Sequence, residues 1–81
     1  MDTEILDEIF QVVEDRRNNP KPNSYVSGLL AQGLDVILKK IGEEATELVV
    51  AAKGNSQQFV IHETADLMFH MLVLLASQRI P

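Results

Sequence analysis

Apolar and polar positions along the chain fall into four helical patterns separated by breaks. Ile5, Ile9, Val12 and Val13 share one helical face, with Leu6 and Phe10 beside them, and predict a first helix from Thr3 to about Arg17. The stretch "NNPKPNS", with two prolines and three asparagines, makes residues 18–24 a loop. Ser24 can cap a short helix through "YVSGLLAQ", which Gly33 ends or kinks. A third helix runs from Leu34 or Asp35 to Lys53 on a stripe of Leu34, Ile37, Leu38, Ile41, Ala45, Leu48, Val49 and Ala52, and Lys53 followed by Gly54 stops it. Asn55 or Ser56 can cap a fourth, from about Gln57 to Gln78. No segment alternates with the strand period, so the fold is predicted to be all-α, one helical domain over residues 1–81.

The fourth helix departs from an ordinary amphipathic pattern. From Val60 to Leu75 apolar residues occupy most of its circumference, and such a helix has to be buried on nearly all sides. In so short a chain the natural cover is a second subunit, which predicts a homodimer or a higher homo-oligomer. One narrow strip of the same helix is polar, because Glu63, Asp66 and His70 follow each other at steps of three and four.

Composition narrows the field. A chain of 81 residues buries only about 60% of the surface its unfolded form exposes, so small domains usually need an added support. Without cysteine that support cannot be a disulfide, which leaves a bound metal or self-association. A net charge of −5, no tryptophan and four other aromatics argue against a nucleic-acid surface. The acidic N-terminus is unlike a secretory signal, and no apolar run looks long and charge-free enough to span a bilayer. A soluble cytoplasmic protein without nucleic-acid or membrane partners is expected.

The charge is also unevenly placed. Of the twelve acidic residues, Glu43, Glu44, Glu47, Glu63 and Asp66 form two short clusters, and the other seven balance the seven lysines and arginines. Glu43, Glu44 and Glu47 lie on one side of the third helix, where each like-charged pair costs about 0.2–0.5 kcal/mol. If the third and fourth helices form an antiparallel hairpin centred near Asn55, Glu47 faces Glu63 and Glu44 faces Asp66. Acids from both helices then converge, and they need a cation. Carboxylate oxygens without cysteine suit Mg²⁺, or Mn²⁺ in its place, better than Zn²⁺ or copper. Mg²⁺ sites commonly bind substrate phosphates, and the metal can activate an attacking water while it neutralises developing charge. Lys39 and Lys40, with Arg16 and Arg17, could hold such phosphates. Arg16 and Arg17 equally suit the negative end of the first helix, Ser24 a helix cap, and His70 either a support for the acids or a hydrogen-bonded core position.

These residues carry a family resemblance. "GLDVILKKIGEEATELVVAAK" followed by "ETADLMFHMLVLLA" resembles the phosphoribosyl-ATP pyrophosphatase family, within the MazG-type all-α nucleotide pyrophosphohydrolases. The wider signature, EExxE, a spacer and ExxD, appears as Glu43-Glu44-x-x-Glu47, fifteen residues, and Glu63-x-x-Asp66. The narrower likeness lies in Arg16-Arg17, Ser24-Tyr25, "GLDxILKKxGEEATE" and the "H-x-LVLLA" ending, and covers nearly the whole chain.

The resemblance implies a helical bundle of the MazG-like type completed by dimerisation, and Mg²⁺-dependent hydrolysis of 1-(5-phosphoribosyl)-ATP to 1-(5-phosphoribosyl)-AMP and pyrophosphate in histidine biosynthesis. It implies Glu43, Glu44, Glu47, Glu63 and Asp66 as metal ligands, with Glu44 and Glu47 acting on the attacking water. Arg16, Ser24, Tyr25, Lys39 and Lys40 would be substrate contacts. Val26 and Gly28 stand where the family often has threonine and lysine, and Phe69 where tyrosine is common. The alternatives are a MazG-type house-cleaning enzyme acting on nucleoside triphosphates, or a non-enzymatic helical dimerisation module.

Overall fold

Four helices are built where the apolar spacing places them. The computed structural model describes residues 4–80, and the elements are α1 (Glu4–Asn18), α2 (Tyr25–Gln32), α3 (Leu34–Lys53) and α4 (Gln57–Ser77). Among the described residues all regular structure is helical; Thr3, the expected first residue of α1, lies outside them. The Ser24 hydroxyl accepts the Ser27 amide at 3.2 Å and starts α2, and Ser56 does the same for α4 through Phe59 at 3.4 Å. Gly33 both ends α2 and begins α3 at φ +101°, a conformation that only glycine takes without strain. At the end of α3 the left-handed step falls not on Gly54 but on Asn55, at φ 60°.

α3 and α4 pack against each other as the expected hairpin, α1 lies along α4, and α2 bridges α1 and α3. Val13, Val26, Leu29, Ile37, Val73 and Ala76 form the buried core, with Phe10, Ile41 and Phe69 packed around it. The core therefore sits where the C-terminal halves of α1 and α4 meet α2 and the start of α3. Toward the other end of the hairpin, Val49, Val50, Phe59 and Ile61 are exposed.

One expectation changes here. At 21 residues, α4 is long and apolar enough to cross a membrane by length and composition, contrary to the expectation that no run is. Core helices of small bundles share that property. α4 buries Val73 and Ala76 in the protein core and carries Glu63, Asp66 and His70. The single chain does not wrap α4 on all sides, since only His70, Val73 and Ala76 are buried on it.

Candidate active site

The hairpin register brings acids from α3 and α4 together. Carboxylate oxygens of Glu44, Glu47 and Glu63 all lie within 4.8 Å of one another. Glu44 is only 6% exposed, one of three buried polar residues among those described, the others being Ser27 and His70. One oxygen of Glu44 and one of Glu63 are buried with no hydrogen-bond partner. A buried unpaired carboxylate oxygen is costly, so this cluster has unmet capacity for a cation or a proton.

The acids respond to one another. Burial, then the neighbouring carboxyls of Glu47 and Glu44, push Glu63 up to about 7 from the usual 4.5. Burial also acts to raise Glu44, but hydrogen bonds with Glu63 and Glu47, the Lys40 charge and His70 outweigh it and hold Glu44 below the ordinary carboxyl range. One proton on Glu63 thus relieves the cluster when no cation does.

The sign of this effect is testable. Because the folded-state value near 7 lies above 4.5, stabilisation from the Glu63 proton is complete below about pH 4.5 and is lost as pH rises through 7. Without divalent cation, the parent should therefore lose more stability than Glu63→Gln between about pH 5 and 7.5, as read from urea midpoints. Mg²⁺ should restore the parent increasingly over the same window, since binding displaces that proton. Parallel pH curves for parent and variant would contradict the assignment.

The remaining predicted ligands are placed differently. Glu47 meets Glu63 as the register predicts, but Glu44 also converges on Glu63 rather than on Asp66. Asp66 turns along its own helix to His62, 3.3 Å away and one turn earlier, so that His62, Glu63 and Asp66 form a second group. Glu43 turns to Lys40 at 3.7 Å and Lys39 at 4.0 Å. His62 was missed from sequence, although its spacing of four from Asp66 is the signal that could have found it.

The basic and aromatic residues divide as well. Lys40 pairs with Glu44 at 3.6 Å. The Tyr25 oxygen, more than Glu43 and Glu44, raises the Lys40 pKa against the opposing effect of burial. Tyr25 is tied to α4: the His70 Nδ1–H donates to the Asp66 carbonyl at 2.7 Å, so its Nε2 accepts the Tyr25 hydroxyl at 2.8 Å. Phe69 stacks on Tyr25 with ring centroids 6.4 Å apart. His70 therefore joins the start of α2 to the acidic helix. Arg16 and Ser24 line a separate cleft of about 450 Å³ with Lys21, Pro22 and Asn23. Lys39 remains exposed beside Glu43.

Fold and site together define an all-α protein that gathers carboxylates between the two helices of a hairpin, with a lysine paired to one of them and a tyrosine tied to the second helix. The chain belongs to the phosphoribosyl-ATP pyrophosphohydrolase family, whose pattern it matches over residues 6–81. It is 52% identical over 75 residues to a phosphoribosyl-ATP pyrophosphatase of Geotalea daltonii, covering 93% of this chain and 71% of that protein. To that of Trichlorobacter lovleyi it is 53% identical over 77 residues, covering 95% and 71%. To that of Methanocella arvoryzae it is 48% identical over 80 residues, covering 96% and 84%.

Proposed function

We propose that the protein hydrolyses 1-(5-phosphoribosyl)-ATP to 1-(5-phosphoribosyl)-AMP and pyrophosphate, in histidine biosynthesis in the cytoplasm, with Mg²⁺ as its metal and Mn²⁺ as a substitute. The observation that carries this reading is the cluster of Glu44, Glu47 and Glu63 with its two unpartnered buried oxygens, in a chain of this family. The donor set fits the metal, since all three ligands are hard oxygens and the solvent-facing side leaves room for waters and phosphate. Mg²⁺ held there supplies charge neutralisation at the phosphoanhydride and a more acidic water.

The protein's own groups do the rest. Glu44, charged and buried, anchors the cluster, and Glu63 gives up its proton on loading. Glu47, the exposed member, receives the proton of the attacking water. Lys40, held by Glu44 and Glu43 beside Tyr25, offers an ammonium to the phosphates. Asp66 and Glu43 support this set from its edges, and Ser24, Arg16 and Lys39 are further substrate contacts.

A second copy of the chain completes the bundle in this reading. The accessible surface of 5689 Å² exceeds the roughly 4,850 Å² expected for a monomer of 9.0 kDa. The excess is close to the roughly 800 Å² that one partner buries in a standard interface. Phe59, Ile61, Val49 and Val50 on the outer half of the hairpin are the residues this would cover, next to the carboxylates.

The test compares pyrophosphate release from phosphoribosyl-ATP with release from a panel of nucleoside triphosphates. We expect kcat/KM about 100-fold higher for phosphoribosyl-ATP. A preference for ordinary triphosphates would sink this function in favour of a house-cleaning enzyme.

A further inference from the structure

The chain has three arginines, Arg16, Arg17 and Arg79, and all three line one cleft. This cleft, about 330 Å³, lies where the ends of α1 and α4 meet α2, away from the acidic cluster. In a protein of net charge −5 that is a concentrated positive site. Helix C-termini attract cations, and Arg17 is bound that way, donating from Nη1 to the Ala76 carbonyl at 2.8 Å and from Nε to Asn18 at 3.2 Å. Those bonds fix its guanidinium in the wall and use two of its five donors. Arg16 uses one, on Asp15 at 2.7 Å, and Arg79 makes no side-chain hydrogen bond or ion pair with the described residues. The buried Ser27 hydroxyl accepts the Lys21 amide and keeps its own proton to donate.

Arg79 is also in an unusual backbone position. The Arg79 amide bonds the Ala76 carbonyl and the Ile80 amide bonds the Leu75 carbonyl, which closes α4 with Arg79 left-handed at φ 57°. Glycine or asparagine is the usual occupant of that position. The helix end would be better served by glycine, so its own stability does not account for an arginine.

We propose that this cleft binds a phosphate monoester, and that on the protein's substrate the monoester is the phosphate of the added ribosyl arm. The identity of that substrate rests on the function proposed above. Three guanidinium groups present planar paired donors that match phosphate oxygens, and the group carries about −1.5 to −2 charge at pH 7. Arg16 lines both this cleft and the Ser24 cleft, and Ser24 adjoins Tyr25, whose hydroxyl bonds His70 on the helix that carries Glu63 and Asp66. Arg16 and Ser24 thus link the arginine cleft to the start of α2, which His70 ties to the acidic helix. The cleft gives the protein a way to distinguish a phosphoribosyl nucleotide from a plain nucleoside triphosphate, which carries no phosphate monoester on a second ribose.

Arg79→Gly tests this with a variant that eases the helix end. We expect a melting temperature equal to or above the parent's, KM for phosphoribosyl-ATP raised about tenfold, kcat within twofold, and any ATP hydrolysis unchanged. Lys53→Gln, at the far end of α3, should leave KM unmoved and so control for net charge. Separately, the arginine Nε–H signals of the metal-free parent should shift on titration with ribose 5-phosphate, and this response should weaken in Arg79→Gly. Unchanged KM in Arg79→Gly, or no response of the parent to ribose 5-phosphate, would overturn the site. If the parent responds to ribose 5-phosphate but does not hydrolyse phosphoribosyl-ATP, the monoester site stands and the proposed function falls.

Discussion

Glu44→Gln is expected to cut kcat by at least about 100-fold and to remove the effect of Mg²⁺ on thermal stability. Glu44 is the most buried member of the acidic cluster, and one of its oxygens has no partner. The substitution keeps its shape and removes a charge that is held in place only by neighbours. With cation at about 100 times its dissociation constant, the parent gains roughly 2.7 kcal/mol from binding. For a domain of this size each kcal/mol moves the melting temperature by about 4–8 °C, so the parent should gain on the order of 10–20 °C and the variant almost nothing. A chelator should bring the parent to the variant's inactivity. A variant that keeps full activity would reduce the acids to a solvated helix face, as a dimerisation module requires.

Ile37→Ala should have the largest effect on folding itself. Ile37 is 1% exposed and is the largest fully buried side chain among the described residues. It lies on the first turn of α3, where that helix meets Val13, Leu29 and Val73 in the core. Truncating a buried isoleucine to alanine costs about 2–5 kcal/mol, against the roughly 5–15 kcal/mol that holds a typical domain together. A chain this small lies near the low end of that range, so the variant should be largely unfolded at 37 °C when dilute. Urea unfolding followed by circular dichroism should show a lower midpoint at an unchanged slope. A loss below about 1 kcal/mol would mean that the core lies elsewhere, for example mainly between subunits.

The helices were legible in the sequence because the breaks between them, at residues 18–24, at Gly33 and at residues 54–56, are marked. Ser24, Gly33 and Ser56 begin or end them where capping chemistry requires, and the apolar spacing between them leaves little choice. The meeting of Glu47 with Glu63 followed from hairpin arithmetic alone. What arithmetic could not give was the direction of a side chain: Asp66 turning to His62, Glu43 to the lysines, and Glu44 inward to Glu63 are rotamer choices settled by packing and local charge. The tie from Tyr25 through His70 joins residues 45 positions apart, and the arginine cleft joins the end of α1 to the end of α4. Contacts of that range depend on how helices cross, which one strand of letters does not encode locally. Membership of the family, by contrast, was readable because Arg16-Arg17, Ser24-Tyr25, "GLDxILKKxGEEATE" and the "H-x-LVLLA" ending add a narrower likeness to the wider EExxE and ExxD signature.

The most direct test of the carboxylate centre is the anomalous scattering of Mn²⁺ in crystals of the protein. A peak within roughly 2–2.3 Å of oxygens from Glu44, Glu47 and Glu63 is the predicted result. No peak there with Mn²⁺ in excess, or a peak held only by His62 and Asp66, would contradict it.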